Sequence, residues 1–459
     1  MMAGPKRYDI DMVNGPLASK ILLFAMPLIA ANLMNMLFNA ADVAVVGKFV
    51  GDASQAAVTS SSPLVSLLVN LFQGLSVGVS IVVGRSLGGG DRTRIGIAVH
   101  TGIALGIVTG LLAAVVGELA SPLLLNLLNV PDSVKGLATQ YLRIYFLGVP
   151  GGVIYAFGSA LLWANGDTKR PMYYVTISGV VNLALNLIFV IVFRWDVAGV
   201  AWATTVSKYL SAALVMRCLM QETGSMQFDP RRLCIDSGTA KEIVRIGVPA
   251  ALQSTLFILS NVVVQSAVNS MGEIVMAGSG AAASIGGFIG NVSNAFNQTG
   301  QAFASQNRGA GKTERIDRGL RWNLLFALVF PSALGLAAYV SGPWLLRIYT
   351  NSAEVVGVGM IRLLLVCVPY GMYGVIQVFC GTMRALGRTV YPTVIALIGT
   401  CALRILWVAT VFKTIGTPVS LFVAFPITWG ITITVLAVSW FVIRPKEYAR
   451  IRREMQVEA

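Results

Sequence analysis

Asp42 is an acid inside an apolar stretch, residues 20–46, that is long enough to cross a bilayer. An ionised carboxylate at membrane depth is costly, so an acid kept there is by default a functional residue. Its natural chemistry is the uptake and release of a proton as its surroundings change, which points to transport. A second set of polar residues lies in the eighth apolar stretch: Asn291, Asn294, Gln298 and Gln301, spaced three, four and three apart. That spacing puts all four on one helix face. They can wall a polar cavity or bond one helix to another, and the cavity is the preferred reading. Arg404 is an isolated cation in the eleventh stretch, expected to pair with carbonyls or to snorkel. His100, the single histidine, reads as incidental.

Patterns that would suggest enzyme chemistry fail on context. GLSVG, Gly74–Gly78, has the spacing of a nucleophile elbow but lies in a continuous hydrophobic helix, with no strand-to-helix turn and no base beside it. NRGAGKT resembles a phosphate-binding loop, yet the first required glycine is Gln306 and no strand precedes it. Gly102, Gly106 and Gly110 form a ridge that reads as close helix packing. The five cysteines (Cys218, Cys234, Cys367, Cys380, Cys401) form no CxxC pair and most lie in apolar runs, so neither a disulfide framework nor a metal site is expected.

The elements that must position Asp42 are membrane spans. Apolar residues make up 56% of the chain and charged ones 12%, against about 25% charged in an ordinary soluble domain. Mean hydropathy is +0.74. Twelve apolar segments follow one another: 20–46, 57–84, 95–119, 136–162, 171–193, 198–220, 241–269, 278–305, 320–341, 355–383, 391–412 and 417–443. Their lengths suit helices, some tilted or bent, and not the short alternating strands of a barrel. The fold class is therefore an all-α membrane protein of about twelve transmembrane helices. The first segment is too long for a signal peptide and lacks a cleavage site, so it reads as a retained span.

The net charge of +14 is topology, not a nucleic-acid site. With the N-terminus placed in the cytoplasm, 25 of the 34 Lys and Arg are assigned to that side, in loops or toward span ends, and 7 to the other, leaving Lys208 and Arg404 deep inside spans. This is the positive-inside pattern, and it puts both termini in the cytoplasm. The chain also repeats itself. Pro27 recurs as Pro249, Pro122 as Pro343, NGDTKRP (Asn165–Pro171) as LGRTVYP (Leu386–Pro392), GGGDRTR as GAGKTER and Pro150 as Pro369, at offsets of 219 to 222. Two six-helix halves related by an axis along the membrane normal are a transporter arrangement, with the substrate path between them. The expected domains are a lobe over 15–220, a cytoplasmic linker over 221–240, a second lobe over 241–445 and a basic tail over 446–459.

The order of Pro27, ADVAVVGKFVG, GRSLGGGDRTR, NGDTKRPMYY, NLALN and GVAWATT resembles the multidrug and toxic compound extrusion (MATE) transporters, in their bacterial DinF-like branch. The resemblance covers roughly residues 15–445. It implies two pseudo-symmetric lobes forming a V around a central cavity, and export of organic cations and drugs driven by H+ or Na+. Residue by residue, Asp42 matches the acid of the first helix and Pro27 the proline where that helix bends. Asn182 and Asn186 occupy the fifth-helix pair usually written Asn-x-x-x-Asp, and Thr204 matches the threonine of a sixth-helix Ala-Thr pair. Asn182 and Asn186 are four apart and share a helix face, so both amides can point at one carboxylate. The departure is Asn186, a neutral amide where a second acid is usual. Glu273, Glu314, Asp317 and Glu354 are expected in loops, and the seventh-helix acid of some members is absent, with Gln253 and Gln265 nearby. A Na+ site at Asp42, Asn182, Asn186 and Thr204 remains an alternative, but one carboxylate favours proton coupling.

These readings make the chain a cation-coupled antiporter of the bacterial plasma (inner) membrane, not an enzyme. Small organic, cationic and partly apolar substrates are expected, with the lipid bilayer as surroundings, a monomer as the working unit and no cofactor beyond the coupling ion. Asn39, Gln73, Gln253, Gln265, Asn294, Gln298 and Gln301 are the polar span positions assigned to the substrate cavity. One alternative is a flippase for lipid-linked oligosaccharides, which would need several cations for a pyrophosphate where the spans offer only Lys208 and Arg404. A membrane receptor that moves nothing is disfavoured by the repeat and the buried acid. The topology is directly testable. A cysteine at Asp91 or Thr313 is expected to label only from the cytoplasm, and one at Ser133 or Ser352 only from outside. Either pair labelling from the other side overturns the span assignment.

Overall fold

A computed structural model of the chain describes residues 8–128 and 130–458, and the regular structure among them is all helical, with no strand. Twelve long helices follow in order: α1 (Leu17–Phe49), α2 (Asp52–Gly89), α3 (Arg92–Leu127), α4 (Asp132–Ala164), α5 (Lys169–Val192), α6 (Asp196–Gln221), α7 (Ser237–Asn269), α8 (Glu273–Gly309), α9 (Thr313–Val340), α10 (Ala353–Ala385), α11 (Val390–Ile415) and α12 (Pro418–Gln456). Eleven of them are long and apolar enough to cross a membrane. The twelfth, α6, is 26 residues long but carries Asp196, Lys208 and Arg217. Single π-helical turns interrupt α5 at Ile188–Val192, α10 at Leu363–Cys367, and α11 at Ile398–Ala402 and Val408–Phe412. Such turns are rare and favour functional sites.

The chain divides into two compact units, one holding residues up to Ile10 with Ala30–Ala251, the other Asp11–Ile29 with the residues from Leu252 on. The division does not fall in the 221–240 linker. It passes through α1 and α7, each time two residues beyond a proline, Pro27 and Pro249. Both helices run unbroken through these prolines, although each proline removes the hydrogen bond its N–H would have made to the turn before. The linker itself is tied down in the first unit. His100 accepts from the N–H of Asp229 at 3.1 Å while its other ring nitrogen meets the Gly96 carbonyl at 2.7 Å, and Thr101 Oγ1 accepts from the N–H of Asp236 at 3.1 Å. His100 is thus not incidental: it clamps the linker to α3.

Lipid tails give no hydrophobic drive between helices, so close approach through small residues does the packing. The glycines carry that role in both units. A Cβ on Gly106 or Gly110 of α3 would press on Phe157 or Pro150 of α4, and one on Gly148 or Gly158 of α4 on Thr205 or Val215 of α6. The glycines of GLSVG join α2 to the first half of α7, where a Cβ on Gly74 would lie 2.3 Å from the Ala251 backbone and one on Gly78 2.2 Å from the Ile243 carbonyl oxygen. An ion pair between Arg85 and Glu242, 2.7 Å long, closes the same interface. In the second unit Gly371 and Gly374 of α10 bring it against α9, and Gly381 brings it against Asn297 and Gln301 of α8.

The approaches at Gly74 and Gly78 are against backbone, which cannot swing aside. Gly78→Val is therefore expected to destabilise the protein by about 3 kcal/mol, whereas Gly136→Ala, with nothing within 4 Å of the new methyl, should be neutral. Thermal unfolding of the purified protein checks this; equal melting temperatures for both variants would contradict the α2–α7 packing.

Candidate functional site

Asp42 sits on α1 with its carboxylate turned to α5, where Asn186 donates from Nδ2 to Oδ1 at 2.5 Å. Asn182, one turn earlier, reaches the same oxygen. With its amide oriented so that both ends are satisfied, it donates to Asp42 Oδ1 at 2.7 Å and accepts from the N–H of Thr204 on α6 at 3.3 Å. The four residues Asp42, Asn182, Asn186 and Thr204 therefore meet at one place in the first unit. Asn182 and Asn186 are buried and Asp42 is half-buried. The Oδ1 of Asn186 is buried with no hydrogen-bond partner, and the π-helical turn of α5 begins two residues later.

Three further side chains complete the surroundings. Lys208, one turn after Thr204 on α6, places its ammonium 3.3 Å from the centre of the Tyr145 ring, a cation–π contact, and its charge acts on Asp42. Tyr145 and Tyr141 of α4 both feel the Asp42 charge and lie 6.1 Å apart, ring to ring. Sequence reasoning weighed Lys208 only against a flippase and missed both tyrosines. The signal was there for Lys208, since a buried acid needs a counter-charge and only two cations had been placed inside spans.

Small residues set these positions. A Cβ on Gly179 of α5 would lie 1.9 Å from the Phe38 ring of α1, so the glycine lets α1 rest on α5 one turn before Asp42 and Asn182. On α4, Gly148 admits Thr205, which donates to the Ile144 carbonyl at 2.9 Å, and Gly151 and Gly152 admit the Lys208 backbone and side chain. Thr205 thus fixes α6 to α4 while Thr204 faces α5.

Comparison with known proteins gives the family and the fold. The MatE family profile matches twice, over residues 27–188 and 249–410. The chain belongs to the MatE family. The two matches share an offset of 222 residues, the period already visible in Pro27 and Pro249. The probable multidrug resistance protein YoeA of Bacillus subtilis is 27% identical over 382 residues, 82% of each chain. A FAD transporter of Shewanella oneidensis is 23% identical over 395 residues, covering 84% of this chain and 86% of its own. Among solved structures, the Vibrio cholerae MATE transporter VcmN superposes with a TM-score of 0.85 at 22% identity, over 95% of this chain and 97% of that one. A MATE protein in complex with MaL6 gives 0.88 at 18%, over 96% and 98%. The chain has the MATE fold and is a multi-pass membrane transporter, not an enzyme.

The other expected positions of this MatE protein are scattered. Asn39, Gln73 and Gln265 are exposed, and Asn294 and Gln298 are half-buried. Gln265 donates to Asn269 at 2.8 Å. Gln253 and Gln301 are not open to a cavity but buried in the packing of the second unit. Gln253 accepts from Arg384, and Gln301 donates to Asn297 at 2.7 Å beside Gly381. The polar stripe of α8 is thus divided between packing and partly open positions. Arg404 does not snorkel; it is 1% exposed and donates to the side-chain carbonyl oxygen of Asn261 at 3.4 Å. Arg362 and Arg384, grouped with the loop-side charges from sequence, lie within α10. Glu273, Glu314, Asp317 and Glu354 are in or next to the first turns of α8, α9 and α10 instead of loops, where acids suit the helix dipole.

If Gly179 sets the approach of α1 to α5, Gly179→Val should cut transport about tenfold by overpacking while the protein still folds. Adding Phe38→Ala should recover part of the loss. Vesicle uptake by the single and double variants decides it, and no recovery in the double variant contradicts the assignment.

Proposed function

We propose that this MatE transporter exports small organic cations, drugs among them, across the bacterial plasma membrane in exchange for protons, with Asp42 as the group that carries the proton. The single observation behind this reading is the company Asp42 keeps. One carboxylate faces two neutral amides and a threonine, with the Lys208 ammonium near enough to act on it. A sodium ion stripped of water depends on negatively charged oxygens. Here the one formal negative charge already lies in the field of the Lys208 ammonium, whose repulsion weakens the binding of a second cation. A proton needs only the carboxyl.

Asn186 suits a group that alternates between charge states. An amide offers donors to an ionised carboxylate and an acceptor to a protonated one. Its Nδ2 holds the charged form, and its Oδ1, buried without a partner, can accept from the carboxyl O–H once the amide turns. A second aspartate at this position would donate nothing to the ionised form. The order of events follows: protonation loosens the Asp42–amide contact, and loss of the proton restores it and draws α1 back onto α5. The relatives named above, a probable multidrug resistance protein and a FAD transporter, support organic molecules as cargo, and their bacterial origin supports the inner membrane.

Asp42→Asn keeps the shape of the side chain but cannot exchange a proton at neutral pH. It should fold, and export of a fluorescent cation from vesicles under an imposed pH gradient should fall to background. Wild-type rates in that variant would return Asp42 to a structural role. In the unaltered protein a Na+ gradient alone should drive nothing; Na+-driven export would replace the proton reading by sodium exchange. Asn186→Asp combined with Lys208→Met adds the missing negative charge and removes the ammonium, and should make Na+ stimulate export.

A further inference from the structure

The second unit holds a buried guanidinium that proton-coupled export of cations leaves unused. Arg404 lies on α11 between its two π-helical turns. Apart from the bond to Asn261, its Nε and Nη2 are buried without a hydrogen-bond partner, and so is Nε1 of Trp429. Two rings lie against it, and three more pack on those two. The guanidinium carbon is 4.0 Å from the centre of the Phe425 ring and 5.9 Å from that of Phe257. Trp429 contacts Phe425, Tyr370 and Tyr373 at centroid distances of 5.7, 5.5 and 6.0 Å. Tyr373 stacks on Phe257 at 5.4 Å. A second arginine, Arg362 on α10, acts on Arg404 through its charge, and no carboxylate is among the groups that act on either.

The unmet groups are all donors. A ring beneath a guanidinium satisfies its face, but the in-plane N–H groups need oxygens, and the Trp429 N–H needs one too. Two like charges with three idle N–H groups and no acid define the missing partner as an anion. The rings define its body, because flat aromatic groups stack on such faces. Asn261 is exposed and Phe257, Tyr370 and Tyr373 are partly so, while Phe425 and Trp429 are buried. A role in joining helices accounts for the Asn261 bond and not for the idle donors. We propose that this aromatic cage binds a planar aromatic anion, a carboxylate or a phosphate monoester, with its oxygens in the fork of Arg404 and its ring among Phe257, Tyr370 and Tyr373. The site is independent of Asp42 and extends the cargo beyond cations.

Fluorescein and rhodamine 6G test it, since they share one flat ring system and differ in charge, an anionic carboxylate against a cationic ester. Fluorescence anisotropy with the purified full chain gives the ratio of their affinities. Arg404→Gln should lower the fluorescein-to-rhodamine ratio about tenfold or more, as loss of a charge-assisted fork implies. Arg404→Lys should fall between, because a point charge lacks the fork. Phenyl phosphate or benzoate should displace fluorescein, the stronger of the two naming the oxyanion, and inorganic phosphate should displace it poorly because it has no ring. An unchanged ratio in Arg404→Gln, or no fluorescein binding by the unaltered chain, overturns the proposal. If Arg404→Gln does not fold, Trp429→Phe and Phe257→Leu take its place, and an unchanged ratio in both is equally fatal. Displacement by inorganic phosphate as strong as by phenyl phosphate overturns the aromatic part.

Discussion

A carboxylate held inside a membrane-crossing helix must find its partners on other helices, because the N–H groups of its own helix are already used within it. The first unit is organised around that constraint. Asp42 takes hydrogen bonds from Asn182 and Asn186 on α5 and lies within the field of Lys208 on α6 and of Tyr141 and Tyr145 on α4. Each of the three supporting helices presents its groups as a pair four residues apart: Asn182 with Asn186, Thr204 with Lys208, and Tyr141 with Tyr145. Straight helices aim two side chains at one point in this way. A buried charge with a partner missing costs several kcal/mol more than a complete set, so the arrangement is demanding: α1, α4, α5 and α6 must all be in place at once.

Glycine meets that demand. Phe38 lies on Gly179 where α1 meets α5, and Thr205 and Lys208 lie on Gly148, Gly151 and Gly152 where α6 meets α4. The site therefore depends on residues that have no chemistry of their own. The second unit uses the same device at Gly371, Gly374 and Gly381, and buries Arg384 and Arg404. The sequence repeat thus supports two similar scaffolds with different buried charges.

Much of this was legible in the chain. The twelve apolar segments, the repeat and Asp42 follow from hydropathy and from the cost of charge in lipid, and the amide pair of α5 followed once the family resemblance placed it. The misses have physical causes. Gln253 and Gln301 look like cavity positions because amides are polar, but an amide can be satisfied inside packed helices, and only the neighbours Arg384 and Asn297 reveal that. The division of α1 and α7 between the units was not visible, because hydropathy marks where a helix is and not what it packs on. From sequence, Arg404 reads as a cation that pairs with carbonyls or snorkels. The aromatic cage that encloses it comes from three helices, and no local pattern announces it.

The central claim is that Asp42 itself gains and loses the proton. Infrared difference spectroscopy on the purified transporter in Na+-free buffer tests it at the level of the bond. The account predicts a protonated-carboxyl C=O band that is lost when a substrate cation binds and is missing from Asp42→Asn. A carboxyl signal that persists in Asp42→Asn, or that responds to Na+ and not to substrate or pH, would contradict it.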